Sequence, residues 1–151
     1  MKTDYDILAA QVDSLVDNVP HFVANLANIS ALIFDTLDDI NWAGFYLAEG
    51  GRLVLGPFQG KPACIEIPYG KGVCGTALAS DKVMRISDVH CFEGHIACDA
   101  ASSSEIVLPI HRDGAITAVL DIDSTSLDRF SSEDEEGLAR IVQILERKVF
   151  F

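Results

Sequence analysis

Four cysteines carry the most reactive chemistry in this sequence. They are Cys64, Cys74, Cys91 and Cys98. In a chain of 151 residues they are too few for the disulfide scaffold of a small secreted domain. The intervals between them are long and uneven, whereas a zinc site favours close pairs such as Cys-x-x-Cys, so no metal site is predicted. Buried packing thiols and a redox pair remain as alternatives.

The redox interpretation needs one thiolate that a substrate can reach and a second thiol that can approach it. Cys98 meets the first requirement, because it lies in an irregular stretch with His95 one helical turn before it. Its neighbour Asp99 works against this, since an adjacent anion raises the pKa of a thiol. Cys64 or Cys74 would meet the second requirement if the fold brings it near Cys98.

Two carboxylates at the end of a predicted strand form a second candidate site. Side chains alternate across a sheet, so Asp121 and Asp123 would point to the same face, roughly 7 Å apart. An exposed strand end is the simplest interpretation of such a pair. A buried pair would instead hold a cationic group or share a proton, because mutual repulsion and burial raise the pKa of one member. The spacing leaves both interpretations open.

An aromatic pair occupies one face of an earlier predicted strand. Trp42 and Tyr46 flank Gly44 on that face, which leaves a gap where a ligand could lie against the rings. Aromatic walls suit thioethers, methyl groups and cations, at about 1 kcal/mol per contact. Core packing is the alternative. It is what we expect of the opposite face, which carries Ala43, Phe45 and Leu47.

Helices at both ends of the chain are predicted to support these strands. A capping box at Thr3 and Asp6 would start the first helix, and Pro20 would open the second. Ser132 and Glu135 would open the last. The positions expected to face the core are Leu8, Val12, Leu15, Val16 and Val19 in the first helix, and Phe22, Leu26, Ile29, Ile33 and Leu37 in the second.

Short strands with turns between them fill the middle of the chain. They are predicted over residues 41–47, 53–55, 64–68, 83–86, 105–110 and 115–122, with hairpin turns at Gly50-Gly51 and Asp113-Gly114 and a short helix ending near Ala79. This order predicts an α+β protein, with one largely antiparallel sheet and helices packed on it. Consecutive hairpins count against a doubly wound parallel sheet. Residues 87–103 have no periodicity, which is typical of a functional loop.

The composition excludes several classes of function. The chain carries 23 acidic and 11 basic residues, a formal net charge of −12. Phosphates and anionic lipids repel such a surface, so neither nucleic acid nor a membrane is an expected partner. The stretch from Met1 to Asp17 lacks the basic start and unbroken apolar run of a signal peptide. This predicts a cytoplasmic location, where thiols stay reduced.

Five short segments form a pattern that extends over most of the chain. They are residues 41–46 (NWAGFY), 55–60 (LGPFQG), 72–75 (GVCG), 94–99 (GHIACD) and 120–124 (LDIDS). Together they resemble the free methionine-(R)-sulfoxide reductases, which are enzymes made of a single GAF domain. The resemblance implies a single GAF domain over residues 1–151. It also implies a GAF-like fold, with a central antiparallel sheet flanked by helices and a small closed pocket on one side of the sheet.

The resemblance further implies an activity and roles for individual residues. The reaction would be the thiol-dependent reduction of free L-methionine (R)-sulfoxide to methionine, through a cysteine sulfenic acid and an intramolecular disulfide that thioredoxin recycles. Cys98 corresponds to the nucleophile, Cys64 to the resolving thiol and Cys74 to an auxiliary cysteine. The residues that correspond to the substrate pocket are Trp42, Tyr46, Glu105, Asp121 and Asp123. No cofactor is implied, and the family suggests a homodimer.

Two alternatives stay open at this point. Cys91 has no counterpart in the family and is expected to be a surplus or packing thiol, although its place in the same loop as Cys98 also allows a resolving role. A stand-alone GAF sensor that binds a small ligand without catalysis would explain the fold and the aromatic pair. It would leave the cysteines and the three acids without a purpose.

Overall fold

A six-stranded antiparallel sheet forms the centre of the protein, whose computed structural model describes residues 2–94 and 101–151. The strands are β1 (Trp42–Glu49), β2 (Arg52–Gly60), β3 (Glu66–Pro68), β4 (Met84–Ile86), β5 (Ser104–Arg112) and β6 (Ala115–Ser124). The helices are α1 (Tyr5–Val16), α2 (Phe22–Thr36), α3 (Gly72–Ser80) and α4 (Ser132–Lys148), with a short 3-10 turn at Val89–Cys91. The sheet order is β3-β2-β1-β6-β5-β4. The predicted α+β architecture is therefore confirmed.

Different helices cover the two faces of this sheet. On one face, α2 and α4 pack against the strands, and α1 packs on both of those helices. This side holds the larger apolar core, in which Phe45 and Leu120 are fully buried. Burying a side chain of this size contributes about 1.5–3 kcal/mol. On the opposite face, α3 lies above a smaller cluster that includes Trp42, Tyr46 and Cys74.

The first helix has a different N-cap and buries fewer side chains than the sequence predicts. Asp4 caps α1 by accepting two backbone N–H hydrogen bonds of 3.1 Å, so the predicted Thr3–Asp6 capping box is wrong. Leu15 is 37% exposed rather than buried, and Val19 lies beyond the helix end. Adjacent aspartates offered more than one possible cap, and only the three-dimensional packing of the helix selects between them.

The second and last helices show similar shifts of one or two residues. α2 begins at Phe22 rather than at Pro20, and Phe22 is 40% exposed. α4 begins with a Ser131–Asp134 capping box, one residue before the predicted pair of Ser132 and Glu135. Among the described residues, none of the helices is long and apolar enough to cross a membrane.

Strand pairing aligns residues of one face in rows across the sheet. Trp42 on β1 pairs with Asp123 on β6, which in turn pairs with Glu105 on β5. In the next row, Gly44 pairs with Asp121. Residues directly opposite one another in an antiparallel sheet point to the same side. These two rows therefore lie together on the face that α3 covers.

Gly44 is required because its partner on β2 comes unusually close. A Cβ atom at this position would lie 2.3 Å from the Cβ of Phe58 and 2.7 Å from its Cα. The Phe58 ring stacks on Trp42, with ring centroids 5.1 Å apart. The spacing left a ligand gap and core packing open for the space beside Gly44, and Phe58 of the neighbouring strand occupies that space.

Replacing Gly44 with alanine should displace Phe58 from the aromatic stack and destabilise the protein. Overpacking of this kind costs about 1–3 kcal/mol. Trp42 is the only tryptophan of the chain, so its emission and near-UV circular dichroism report directly on the displaced ring. Thermal unfolding should show a lower midpoint, together with altered Trp42 spectra in the folded protein.

Gly51→Ala is the matched control for that experiment. A Cβ atom at this hairpin position meets nothing within 4 Å, but the residue has φ +79°. Backbone strain should destabilise the control by about 1–2 kcal/mol and so lower its unfolding midpoint. The Trp42 spectra of the control should stay unchanged. Wild-type spectra and midpoint in Gly44→Ala would contradict the close packing described here.

Candidate active site

A pocket lies between α3 and the sheet, on the face that carries the aromatic pair. Its cavity measures about 50 Å³. Six of the predicted site residues line it, namely Trp42, Tyr46, Cys74, Glu105, Asp121 and Asp123. Residues far apart in the sequence therefore come together at one place beside the sheet.

Three carboxyl groups and one thiol converge on this pocket. Glu105 comes from β5, Asp121 and Asp123 come from β6, and Cys74 comes from the first turn of α3. The Cys74 Sγ atom lies 3.8 Å from Glu105 Oε2. Cys74, Glu105 and Asp121 are 4%, 8% and 5% exposed. The interpretation of the acid pair as an exposed strand end is thus wrong for Asp121.

Burial favours the protonated form of these groups. It is the main cause that raises the pKa of Glu105 well above its usual value, and the charge of Asp121 adds to it. Burial likewise raises the pKa of Asp121, followed by the charge of Asp123. The pKa of the Cys74 thiol is raised first by burial and then by the two neighbouring carboxylates. Such groups exchange protons as a coupled set, which can donate a proton at a pH where isolated carboxyls are ionised.

One oxygen of the cluster has no hydrogen-bond partner among residues 2–94 and 101–151. Asp121 Oδ1 is buried and makes no hydrogen bond with any residue that the structure describes. A buried polar atom without a partner costs about 1–3 kcal/mol, and folded proteins contain few of them. Because Asp121 lines the pocket, a donor on a bound ligand would satisfy this oxygen.

Trp42 and Tyr46 form an aromatic wall that also holds the loop after β2. Their ring centroids are 5.8 Å apart in a stacked arrangement. Trp42 Nε1 donates to the carbonyl of Lys61, and the Tyr46 hydroxyl donates to the carbonyl of Cys64, both at 3.1 Å. Burial raises the pKa of Tyr46, with the charge of Asp121 next, so the hydroxyl remains a neutral donor. The wall therefore fixes the Cys64 segment beside the pocket.

Two of the predicted redox cysteines lie near this pocket in different states. Cys64 is disulfide-bonded. It lies in the loop before β3, since that strand begins at Glu66 rather than at the predicted residue 64. Cys74 is a free thiol and is buried. Burial beside acidic groups distinguishes Cys74 from a reactive cysteine, which needs an accessible thiolate.

The remaining cysteines belong to the segment that follows β4. Cys91 is a free thiol at the exposed end of the 3-10 turn. Its Sγ donates to Asp88 Oδ2 at 3.4 Å, and this bond and the charge of Asp88 raise the pKa of Cys91. The predicted nucleophile Cys98 and its neighbour His95 lie outside the described residues.

Known proteins resemble this chain in both sequence and fold. The family model of the GAF domain matches residues 13–148. The free methionine-R-sulfoxide reductase of Escherichia coli is 58% identical over 143 residues, which cover 95% of this chain and 87% of that protein. The chain belongs to the free methionine-R-sulfoxide reductase family of GAF domains.

Solved structures of this family have the same architecture. The fRMsr of Staphylococcus aureus, in complex with substrate, is 52% identical with a TM-score of 0.94, covering 99% of this chain and 97% of that one. The free methionine-R-sulfoxide reductase from Neisseria meningitidis, in complex with its substrate, is 39% identical with a TM-score of 0.94, covering 99% and 93%. The predicted GAF-like fold is confirmed.

Sequence reasoning missed several pocket residues of this family member. Lys61 and Lys71 line the pocket and add positive charge to an otherwise acidic site. Ser102 also lines it and receives a hydrogen bond from the side chain of Asn41 at 3.1 Å. The two lysines are scarce cations in a chain of net charge −12, and their positions flanking Cys64 were the signal that could have identified them.

Replacing Glu105 with glutamine should make stability less sensitive to alkaline pH. A glutamate in the unfolded chain ionises at about pH 4.3, whereas in the folded protein the pKa of Glu105 is raised. The protonated Glu105 side chain therefore contributes its full stabilisation below about pH 4. This contribution is lost as the pH rises through the pKa that Glu105 has in the folded protein. Glutamine does not ionise, so the Tm of the variant minus that of the wild type should increase with pH.

Thermal unfolding from about pH 5, just above the ordinary pKa of glutamate, to about pH 9 measures this difference. Glu49→Gln, at the exposed end of β1, is the control and should give a profile parallel to the wild type. A parallel profile for Glu105→Gln as well would show that the cluster does not retain protons.

Proposed function

We propose that the protein reduces free methionine (R)-sulfoxide to methionine with electrons from thiols. One observation carries the proposal: a cluster of Glu105, Asp121 and Asp123, of which the first two are buried, faces the same pocket as the Trp42–Tyr46 wall. This cluster offers protons and negative charge where a small amino acid would lie. Relatives named for this activity, two of them structures with substrate, support the proposal.

The charges of the pocket fit a free amino acid. Its ammonium group would pair with the carboxylates and donate to the unpartnered Asp121 Oδ1. Its carboxylate would lie toward Lys61 and Lys71, and its methyl and sulfur would pack on the aromatic wall. In a peptide the same amine is an uncharged amide. The proposed pairing therefore favours free methionine sulfoxide over the oxidised residue in a protein.

The carboxyl cluster would activate the sulfoxide. Its sulfur is a poor electrophile until its oxygen is protonated or strongly hydrogen-bonded, and a buried carboxylic acid can provide that proton. The proposed nucleophile, Cys98, then attacks this sulfur, and the oxygen is transferred to Cys98 as a sulfenic acid. The substrate sulfur gains two electrons, and the sulfur of Cys98 loses two. Methionine leaves with its thioether restored.

Cys64 would complete the cycle as the resolving thiol. It attacks the sulfenic acid, a disulfide forms, and the oxygen leaves as water. The disulfide-bonded state of Cys64 supports this role, as does the hydrogen bond from Tyr46 that holds its loop beside the pocket. A dithiol of the thioredoxin type would then reduce the disulfide by exchange. Such a cycle needs a reducing compartment, which the cytoplasm provides.

Cys74 has a separate part in the proposal. Its burial and raised pKa leave little thiolate for attack or exchange. Its Sγ lies within 3.8 Å of Glu105, so its auxiliary role would be to hydrogen-bond the carboxyl cluster. Cys91, which is free and exposed, would be the surplus thiol.

Two features of the assembled protein complete the proposal. The match of the GAF family to residues 13–148 supports a single GAF domain over the whole chain, residues 1–151. The family resemblance also suggests a homodimer.

Activity measurements on cysteine variants test the proposal. Reduced protein is incubated with each epimer of free methionine sulfoxide and thioredoxin, and released methionine is measured. One epimer should be turned over. Cys98→Ser should abolish this turnover, whereas Cys91→Ser, the matched control at an exposed thiol, should leave it unchanged. Cys64→Ser should release methionine once per protein molecule and then stop, since its sulfenic acid has no resolving thiol.

Three results would change the assignment. Full turnover by Cys98→Ser would remove it as the nucleophile. Continued thioredoxin-driven cycling by Cys64→Ser would transfer the resolving role to Cys74 or Cys91. A wild-type protein that binds methionine yet turns over neither epimer would be a GAF sensor rather than a reductase.

A further inference from the structure

Three side chains of different elements form a compact set of metal-binding atoms in the pocket. Cys74, Glu105 and Asp121 each offer one ligand atom, and these atoms lie within 4.8 Å of one another. All three side chains are buried. Sequence spacing could not indicate this set, because its members come from α3, β5 and β6.

One distance in the set is close to that of a tetrahedral site, and all three ligand atoms lie within 4.8 Å of one another. Zinc binds thiolate at about 2.3 Å and carboxylate oxygen at about 2.0–2.2 Å, so its ligand atoms lie about 3.3–3.7 Å apart. The Cys74 Sγ to Glu105 Oε2 distance is 3.8 Å. Small side-chain adjustments would therefore close the set around one ion, and the cavity beside it leaves a fourth position for water.

An independent observation indicates that the set lacks a ligand. Asp121 Oδ1 is buried on the pocket side without a hydrogen-bond partner among the described residues, and the residue is only 5% exposed. A carboxylate oxygen in this condition accepts either a donor or a cation. The sulfur of Cys74 next to it selects among cations, because soft thiolate ligands prefer zinc and its relatives over magnesium or calcium.

We propose that Cys74, Glu105 and Asp121 bind a thiophilic divalent cation such as Zn²⁺, and that the bound ion excludes substrate from the pocket. Binding forms one metal–sulfur and two metal–oxygen bonds and releases the displaced protons to solvent, with no change in oxidation state. The negative charge of Asp123 beside the set further favours the cation. The binding part stands on geometry alone, whereas inhibition rests on the proposed function.

Cadmium is a suitable probe, because cadmium bound to thiolate absorbs in the near ultraviolet. The protein is titrated with Cd²⁺ under argon with the Cys64 disulfide intact, a state in which Cys74 and Cys91 are free. Wild type and Cys91→Ser should show the same saturable band at one ion per chain, and Cys74→Ser should show none. Zn²⁺ should remove the band, whereas Mg²⁺ should not.

Asp121→Asn separates a bound ion from a lone reactive thiol. It keeps the sulfur and the shape of the side chain but weakens one ligand, so the band should persist with at least about tenfold weaker affinity, roughly the effect of losing a metal-site partner. Circular dichroism confirms that each variant is folded.

The proposal would be overturned by a band that survives in Cys74→Ser, by a band that disappears in Cys91→Ser, or by no band in the wild type. Unchanged affinity in Asp121→Asn would show that Asp121 is not a ligand and would overturn the three-residue site. The cadmium band does not depend on turnover, so failure of the reductase assay would remove the inhibition and leave the binding site. If turnover occurs, Zn²⁺ should inhibit it competitively with the sulfoxide.

Discussion

The burial of acidic groups on one face of the sheet is the constraint on which the rest of this structure depends. Glu105 and Asp121 are both more than nine-tenths buried and lie beside a buried thiol. Water solvates an ionised carboxylate far better than a protein interior does, so such groups hold their protons or need a partner. The fold tolerates this cost because the opposite face of the same strands buries a large apolar core. The apolar core on one face of the sheet thus offsets the cost of burying acidic groups on the other.

The antiparallel register positions those groups without any loop. Trp42, Asp123 and Glu105 lie in one row across three central strands, and Asp121 lies in the next. Groups held on paired strands move little, which suits a site that must place a proton donor against a small substrate. The aromatic side chains of β1 contact the loop that follows β2. Their hydrogen bonds to the carbonyls of Lys61 and Cys64 connect the acid cluster to the loop that carries Cys64.

Alternation along the strands predicted which side chains share a face, and the structure agrees with it for both the acid pair and the aromatic pair. Alternation carries no information about depth, so the burial of Asp121 could not be inferred from β6 alone. Depth here depends on α3, whose position over the sheet follows from long-range packing. The closed gap at Gly44 has the same cause, since Phe58 belongs to another strand and the register between the two shifts just beyond it.

The ends of helices and short strands were less predictable, because neighbouring residues often suit the same end equally well. Neighbouring residues of similar capping ability, such as Ser131 and Ser132, differ only in the geometry that packing imposes. Cys64 lies outside β3 because the pairing of that strand with β2 covers only three residues. The roles of the cysteines came from the family resemblance, since their spacing alone left packing and redox functions open.

The central claim is that the cluster of Glu105, Asp121 and Asp123 keeps a proton at a pH where isolated carboxyls are ionised. Carbon-13 NMR of the side-chain carboxyls, titrated with pH and assigned with Asp121→Asn, tests it most directly. If the cluster holds a proton, one carboxyl titrates well above the ordinary pKa of aspartate or glutamate, about 3.9–4.3, and its titration is altered in the variant. A wild-type protein in which every carboxyl titrates within that ordinary range would contradict the retained proton.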